Sequence, residues 1–312
     1  MTRIGGVAVV GSVNADLTAY TSPLPRPGET LLGEHFDLVL GGKGANQAVA
    51  AVRAGAPTYL VAAVGDDLFR TLTMDMLTAE GIDTSAVQVL AGHTGIAHIR
   101  VDTTTGQNDI VVVPNANHRL APEQAAEAVR ALQDRIVVVL VQLEIPLPVV
   151  IRVAEVCREL GLTLILDPAP AQPLPDEIWP MVSVVKPNEL EAEVLTGIAV
   201  DDDITAEWAG RWFLDRGAQA AVITMAERGV LVVDATAVRT YPAFQVQPVD
   251  TTSAGDAFAG VLGASLAQGL DMEDAVCRSL AAGALSVTVR GASPSLPTAA
   301  QIEAFLGGQS AG

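Results

Sequence analysis

IVVVLVQLEIPLPVVIRVAEVCRELGLTLILD, Ile136–Asp167, contains a strand, a helix and a second strand in thirty-odd residues. Ile136–Gln142 is almost wholly aliphatic, without the polar alternation of a half-exposed strand, as expected of a central strand covered on both faces. Leu147–Leu160 spaces its apolar residues as a helix does, and Thr163–Asp167 is an apolar run again. A strand, a crossover helix and a strand predict parallel pairing with a right-handed connection. The same rhythm extends outward. Strands are predicted over Val7–Val13, Tyr59–Val64, Val182–Lys186 and Ala220–Met225. Helices are predicted over Ala45–Ala54, Pro122–Leu132, Glu189–Thr196, Thr205–Arg216, Gly255–Gln268 and Glu273–Val287. The expected class is α/β, with a mostly parallel central sheet between helical layers.

Two segments break the rhythm. Leu17–Leu40 carries Pro23, Pro25, Pro27 and Gly28 between strand-like pieces, and Thr94–Val113 reads as two strands around the polar turn TTTGQN. Ile96–Val101 alternates, with His98 and Arg100 on one face and Ala97, Ile99 and Val101 on the other. These segments are expected to pair as a small β-sheet beside the main one, placed as a lid over the strand ends. Residues 1–312 are thus read as a single α/β domain whose lid is formed by insertions at about 17–40 and 94–113.

Half of the 312 residues are hydrophobic and the formal net charge is −18. Such an acidic surface argues against nucleic acid or an anionic membrane as partner. The apolar runs fall short of a membrane span, and MTRIGGVAVVGSV lacks a small-residue cleavage site, so it reads as a first strand. Cys157 and Cys277 lie in apolar helical contexts and are expected to be reduced thiols. A cytoplasmic protein is expected.

The chemistry gathers in DTTSAGDAFAGVL, Asp250–Leu262. A turn of small residues, Ser253, Ala254 and Gly255, runs into a helix whose first amides are unpaired and whose dipole favours an anion. Asp256 at that helix start would repel a phosphate, unless its task is to take a proton from a hydroxyl that attacks the phosphate. It also fits an N-terminal cap. GGKGANQ, Gly41–Gln47, lets backbone approach a ligand and offers Lys43 and Asn46 as donors, although a glycine turn with a solvated lysine is equally compatible. Its spacing is not that of a P-loop. Asn14 and Asp16 follow the first strand, Glu144 follows Ile136–Gln142, and Asn188 with Glu191 follows Val182–Lys186. These are the strand ends where open α/β sheets bind ligands.

These motifs together resemble the PfkB, or ribokinase, family of carbohydrate kinases. The resemblance runs from VVGSVNAD near the start to GASPSLP near the end, and includes PRPGET, GGKGANQAVAA, QLE, DPAPA, KPNELEAE and DTTSAGD. It implies a ribokinase-like three-layer sandwich and ATP-dependent phosphorylation of D-ribose at its 5-hydroxyl. A sibling activity on 2-deoxyribose, another sugar or a nucleoside is the alternative, followed by a non-catalytic sugar-binding protein. By this resemblance Asn14, Asp16, Gly42, Lys43, Asn46 and Glu144 hold the sugar. Asp256 is the base, and Ser253, Ala254 and Gly255 form the anion hole. Asn188, Thr224, Ala226, Glu227, Gly229 and Gly255 bind ATP, with Glu191 governing Mg2+ and phosphate. Asp250, Thr252, Ser286, Val289, Gly291 and Ser295 form a K+ site, and the lid makes a homodimer. The chain departs from the family at Ser253 and Ala226, where glycine is usual, at Leu280, where some members carry a polar residue near adenine, and at His98 and Arg100 on the lid, where apolar residues are common.

Overall fold

The computed structural model describes residues 4–309. In chain order the first half comprises β1 (Gly6–Val10), β2 (Asn14–Thr21), β3 (His35–Gly41), α1 (Lys43–Arg53), β4 (Thr58–Gly65), α2 (Leu68–Ala79), β5 (Val87–Leu90), β6 (Gly95–Asp102) and β7 (Asn108–Val113). Next come α3 (Pro122–Ala131), β8 (Ile136–Val141), α4 (Leu147–Leu160), β9 (Thr163–Leu166), β10 (Val184–Val185), α5 (Glu189–Thr196) and α6 (Asp203–Asp215). The chain closes with β11 (Ala220–Thr224), β12 (Val230–Asp234), β13 (Val238–Tyr241), α7 (Ala254–Ala267), α8 (Met272–Ser286) and α9 (Ala299–Gln309).

The nine-stranded sheet has the order β13-β12-β11-β10-β9-β8-β1-β4-β5. All its pairings are parallel except β11–β12 and β12–β13. Alternating side chains divide its core in two. Val7, Val9, Val138 and Leu140 pack with Val49 of α1, Val261 of α7 and Ala281 of α8. Ala8, Val10, Val139 and Val141 face Val129 of α3, Val153 of α4 and Phe213 of α6. A strand that is apolar on both faces is therefore buried on both, and the result is a three-layer sandwich. Gly260 brings two helices of one layer close together. A Cβ there would lie 2.5 Å from both Ala50 Cβ and the Gln47 carbonyl, so only glycine lets α7 lie this near α1.

The second sheet, β3-β2-β6-β7, pairs β2 with β6 in parallel and its other strands antiparallel. It is the expected lid, with a shifted start. β1 stops at Val10, and Asn14 and Asp16 lie within lid strand β2 itself, not in a loop after the first strand. The sequence pattern also missed α2, α9, β5, β12 and β13. In α2 only Thr73 and Leu77 are buried, so no apolar stripe marks it. Cys157 and Cys277 are free thiols. Among the described residues, no helix is long and apolar enough to cross a membrane.

Candidate active site

Everything expected to do chemistry lies at or near the C-terminal edge of the parallel strands. Asp256 is the third residue of α7, and the residue capping that helix is Ser253, whose side chain makes no capping bond. The Asp256 carboxylate instead turns to α1. Its Oδ2 accepts from Asn46 Nδ2 at 3.2 Å and its Oδ1 from Gln47 Nε2 at 3.1 Å. The close approach at Gly260, one turn further along α7, makes this meeting possible. The capping role is therefore excluded for Asp256. Only 5% of the residue is exposed. Burial, and then the charge of Asp167, push its pKa above the usual carboxylate range against the pull of Lys43, Gln47 and Asn46. For Lys43, burial opposes the charge, but Asp256, Asp167, Glu144 and Glu191 outweigh it and raise its pKa, so the ammonium stays charged.

The GGKG turn docks α1 onto the segment after β1. Gly42 caps α1 at φ 87°, a left-handed conformation suited to glycine. Ala45 N donates to the Ser12 carbonyl at 2.9 Å. Glu144 is fixed in the same place. Its Oε2 accepts from Ser12 Oγ at 2.5 Å and from the Lys43 amide at 3.0 Å. Asn14 is oriented by Asn117, whose Nδ2 donates to Asn14 Oδ1 at 2.8 Å while its own Oδ1 accepts from Val13 N at 2.9 Å. With its oxygen engaged, Asn14 presents its amide donors. Asp16 is 9% exposed, and its Oδ1 is buried without a hydrogen-bond partner, as is Oδ1 of Asn46. Burial, then the charges of Glu144 and Asp256, push the Asp16 carboxyl up to about 7.

A cavity of about 610 Å³ opens from Lys43 and Asp256 toward the β11 end of the sheet. It is lined by Asp167, Lys186, Asn188, Glu191 and Ser253–Gly255, and by the apolar Val246, Leu280 and Val287. Asn14, Asp16 and Glu144 do not line it, so Lys43 and Asp256 stand where the cavity meets the Asn14–Asp16–Glu144 cluster. Asn188 and Glu191 form a reciprocal cap on α5. Glu191 N donates to Asn188 Oδ1 at 2.8 Å, and Asn188 N donates to Glu191 Oε2 at 2.9 Å. The turn after β11 places Thr224, Ala226, Glu227 and Gly229 on the cavity wall. Behind the Ser253 turn, Asp250 Oδ1 accepts from Thr252 N at 2.9 Å and Thr252 Oγ1 at 2.6 Å, and its Oδ2 accepts from Gly291 N at 2.9 Å. Burial opposes ionisation of Asp250, but these bonds hold its pKa below the usual range. Asp250, Thr252 and Gly291 are thus brought together. Ser286 and Ser295 turn their hydroxyls to local carbonyls, Gly283 O and Ala292 O, and Val289 N donates to Ser286 O.

Residues 5–299 match the pfkB family carbohydrate kinases. The chain belongs to that family. A ribokinase of Haemophilus influenzae is 38% identical over 96% of this chain and 98% of its own length. A deoxyribokinase of Salmonella typhi is 36% identical over 96% and 98%. An Arabidopsis thaliana ribokinase solved with ribose and ATP superposes with a TM-score of 0.91 at 29% identity, covering 97% of this chain and 99% of that one.

Two departures of this pfkB kinase from its family motifs are structural as well as chemical. Ser253 and Ala226 stand where glycine is usual, and both keep a left-handed backbone, at φ 61° and φ 47°. A left-handed backbone at a residue with a Cβ carries some strain. Other pfkB site residues escaped the sequence: Ser12, Gln47, Asn117, Gln142, Asp167 and Lys186. Lys186 Nζ lies 3.1 Å from Asp167 Oδ1 and donates to Gly255 O at 3.4 Å, both residues being almost wholly buried. Two signals could have found Asp167 and Lys186: their strand-end position, and their place at the head of the DPAPA and KPNELEAE motifs. Ser12, Gln47 and Gln142 stand inside the VVGSVNAD, GGKGANQAVAA and QLE motifs without having been assigned a role, and Asn117 lies outside every motif.

Proposed function

We propose that this chain transfers the γ-phosphoryl group of ATP to the 5-hydroxyl of D-ribose, giving D-ribose 5-phosphate and ADP. One observation carries the choice of a polyhydroxylated acceptor. Asp16 Oδ1 and Asn46 Oδ1 are buried acceptors without partners, close to the Asp256 carboxylate. Buried polar atoms are seldom left unpaired, and sugar hydroxyls are donors of the right kind. Asn14, Lys43 and Glu144, with the backbone at Gly42, complete the sugar contacts. Asp256 takes the proton of the hydroxyl as its oxygen attacks the phosphorus in line. Its raised pKa makes it the stronger base. The amides of Ser253, Ala254 and Gly255 hold the charge that develops on the transferring group, and the Lys43 ammonium adds a fixed positive charge.

ATP lies along the large cavity. Its base meets Val246, Leu280 and Val287, and its phosphates meet the turn Thr224–Gly229 and Asn188. Glu191 fits Mg2+, because a carboxylate on the wall of a phosphate cavity is the hard oxygen donor this ion takes. When bound there with ATP, Mg2+ would supply neutralisation of phosphate charge. The loop around Asp250, Thr252, Ser286, Val289, Gly291 and Ser295 suits K+, with Asp250 held ionised and carbonyls nearby. The lid makes a homodimer. Its edge strand β7 exposes Ile110, Val111, Val112 and Val113, and β3 exposes Phe36. Arg100 is paired with Asp109 through two 2.7 Å bonds, so the polar departure on the lid is neutralised within one chain. ATP as substrate and two free thiols suit a cytoplasmic setting.

The test is ADP release over a panel of D-ribose, 2-deoxyribose, fructose 6-phosphate and adenosine. D-Ribose should give the highest kcat/KM. A higher value for adenosine, or no release with any sugar, would overturn the proposal.

A further inference from the structure

We propose that Gln47 is a positioning residue of the phosphoryl transfer, locked in a single orientation so that one amide group holds the Asp256 base and ties it to the Asp167–Lys186 ion pair. The inference rests on Asp256 being the base.

Gln47 lies in α1 with none of its surface exposed. Its Nε2 donates to Asp256 Oδ1 at 3.1 Å and to Asp167 Oδ2 at 2.7 Å, spending both amide protons on two carboxylates. Its Oε1 accepts from Gln142 Nε2 at 2.6 Å, and Gln142 is itself fully buried at the end of β8. A flipped amide would break all three bonds and turn an oxygen toward two carboxylates. The orientation is therefore forced. Asp167 in turn pairs with Lys186, whose ammonium donates to the carbonyl of Gly255 in the anion-hole turn. A single side chain thus connects the group that takes the proton with the turn that faces the phosphate.

Two consequences separate this role from mere packing. A donor to the ionised carboxylate favours the charged form, so its loss makes Asp256 harder to ionise. Asp256 is otherwise faced by Lys43 and Asn46 on α1, by Asp16 on β2, by Asp167 after β9 and by Lys186 after β10. Of these only Asp167 also loses a hydrogen bond when Gln47 changes, which leaves its negative charge facing Asp256 and works in the same direction. A freed carboxylate also rotates, which harms the transition state more than sugar binding.

The experiment compares pH profiles of kcat and kcat/KM for ribose in the full chain, wild type against Gln47→Met and Gln142→Met, with Asp256→Asn as control. Gln47→Met keeps the length of the side chain and removes both donors. It should lower plateau kcat by about 10-fold or more and move the acidic limb upward by about one pH unit, from a hydrogen bond to a charged group. Ribose KM should stay within about threefold. Gln142→Met removes only the lock and should move the limb in the same direction by less. If Gln47→Met does not fold, the Gln142→Met profile decides alone. Loss of turnover in Asp256→Asn combined with an unmoved limb in the Met variants would overturn the role of Gln47 and leave the base in place. Near-normal turnover in Asp256→Asn would instead overturn the base.

Discussion

Replacing Asp16 by asparagine should stabilise the sugar-free protein at pH 8 while abolishing its use of ribose. The carboxyl is almost buried, faces Glu144 and Asp256, and is pushed from 3.8 to about 7. Holding it ionised in the folded state therefore costs about 4 kcal/mol at high pH. The sign follows from the direction of the shift. Below 3.8 the group is protonated in both folded and unfolded chains and has no effect. Between 3.8 and about 7 the unfolded chain has lost its proton while the folded protein still holds it, so stability falls across this window and levels off above about 7. Asparagine has no proton to lose. For a chain of 312 residues, 1 kcal/mol moves Tm by about 1.5 °C, so Asp16→Asn should melt roughly 6 °C above wild type at pH 8. Near pH 5 the difference should shrink to roughly 2–3 °C, because only about 1.2 of the 3.2 pH units between the two pKa values have then been crossed. Thermal melts at matched ionic strength from pH 5 to pH 8, without sugar, measure it. A difference independent of pH, or a variant less stable at pH 8, would refute the reasoning. Sugar hydroxyls donating to Asp16 favour its charged form, so ribose KM in the wild type should also rise as pH falls below about 7.

Asp256→Asn should lower kcat by about 10²–10⁴ with ribose affinity changed far less, measured by ADP release and by ribose titration. Potassium chloride should activate relative to choline chloride at equal ionic strength, and Asp250→Ala should abolish the difference; equal rates in both salts for the wild type would dismiss the cation site. Gly260→Ala places a methyl 2.5 Å from Ala50 Cβ and the Gln47 carbonyl, so it should lower Tm measurably and kcat by about 10-fold or more as α7 is forced off α1. Asn117→Ala frees the Asn14 amide to turn, so ribose KM should rise about 10-fold with kcat within about threefold; an unchanged KM would show that Asn14 is oriented without it.

Elements with local punctuation were legible to the residue. α4 is bounded by prolines at its start and Gly161 at its end, and α5 by Asn188 and Gly197. β10 covers two of the five expected residues, since Val182 closes the preceding turn, its amide donating to the Trp179 carbonyl at 3.1 Å. The edge strand β13 has no buried residue, so no pattern announced it. At the site, residues that meet a ligand were recognisable by chemical type and by position at strand ends or turns. Gln47 stood within the GGKGANQ motif, but its role was not legible, because its partner Asp256 lies 209 residues away. Asn117 escaped in the same way, its partner Asn14 being 103 residues distant.

Asn14 and Asp16 belong to β2, a strand of the smaller sheet, while Asp256 begins a helix of the main body. A reactant that reaches both must span the two sheets, and a water molecule is too small to do so. The division therefore bears on ATP economy. A kinase built this way should release little ADP while no sugar is present, since only an acceptor large enough to reach both Asp16 and Asp256 meets every group of the site.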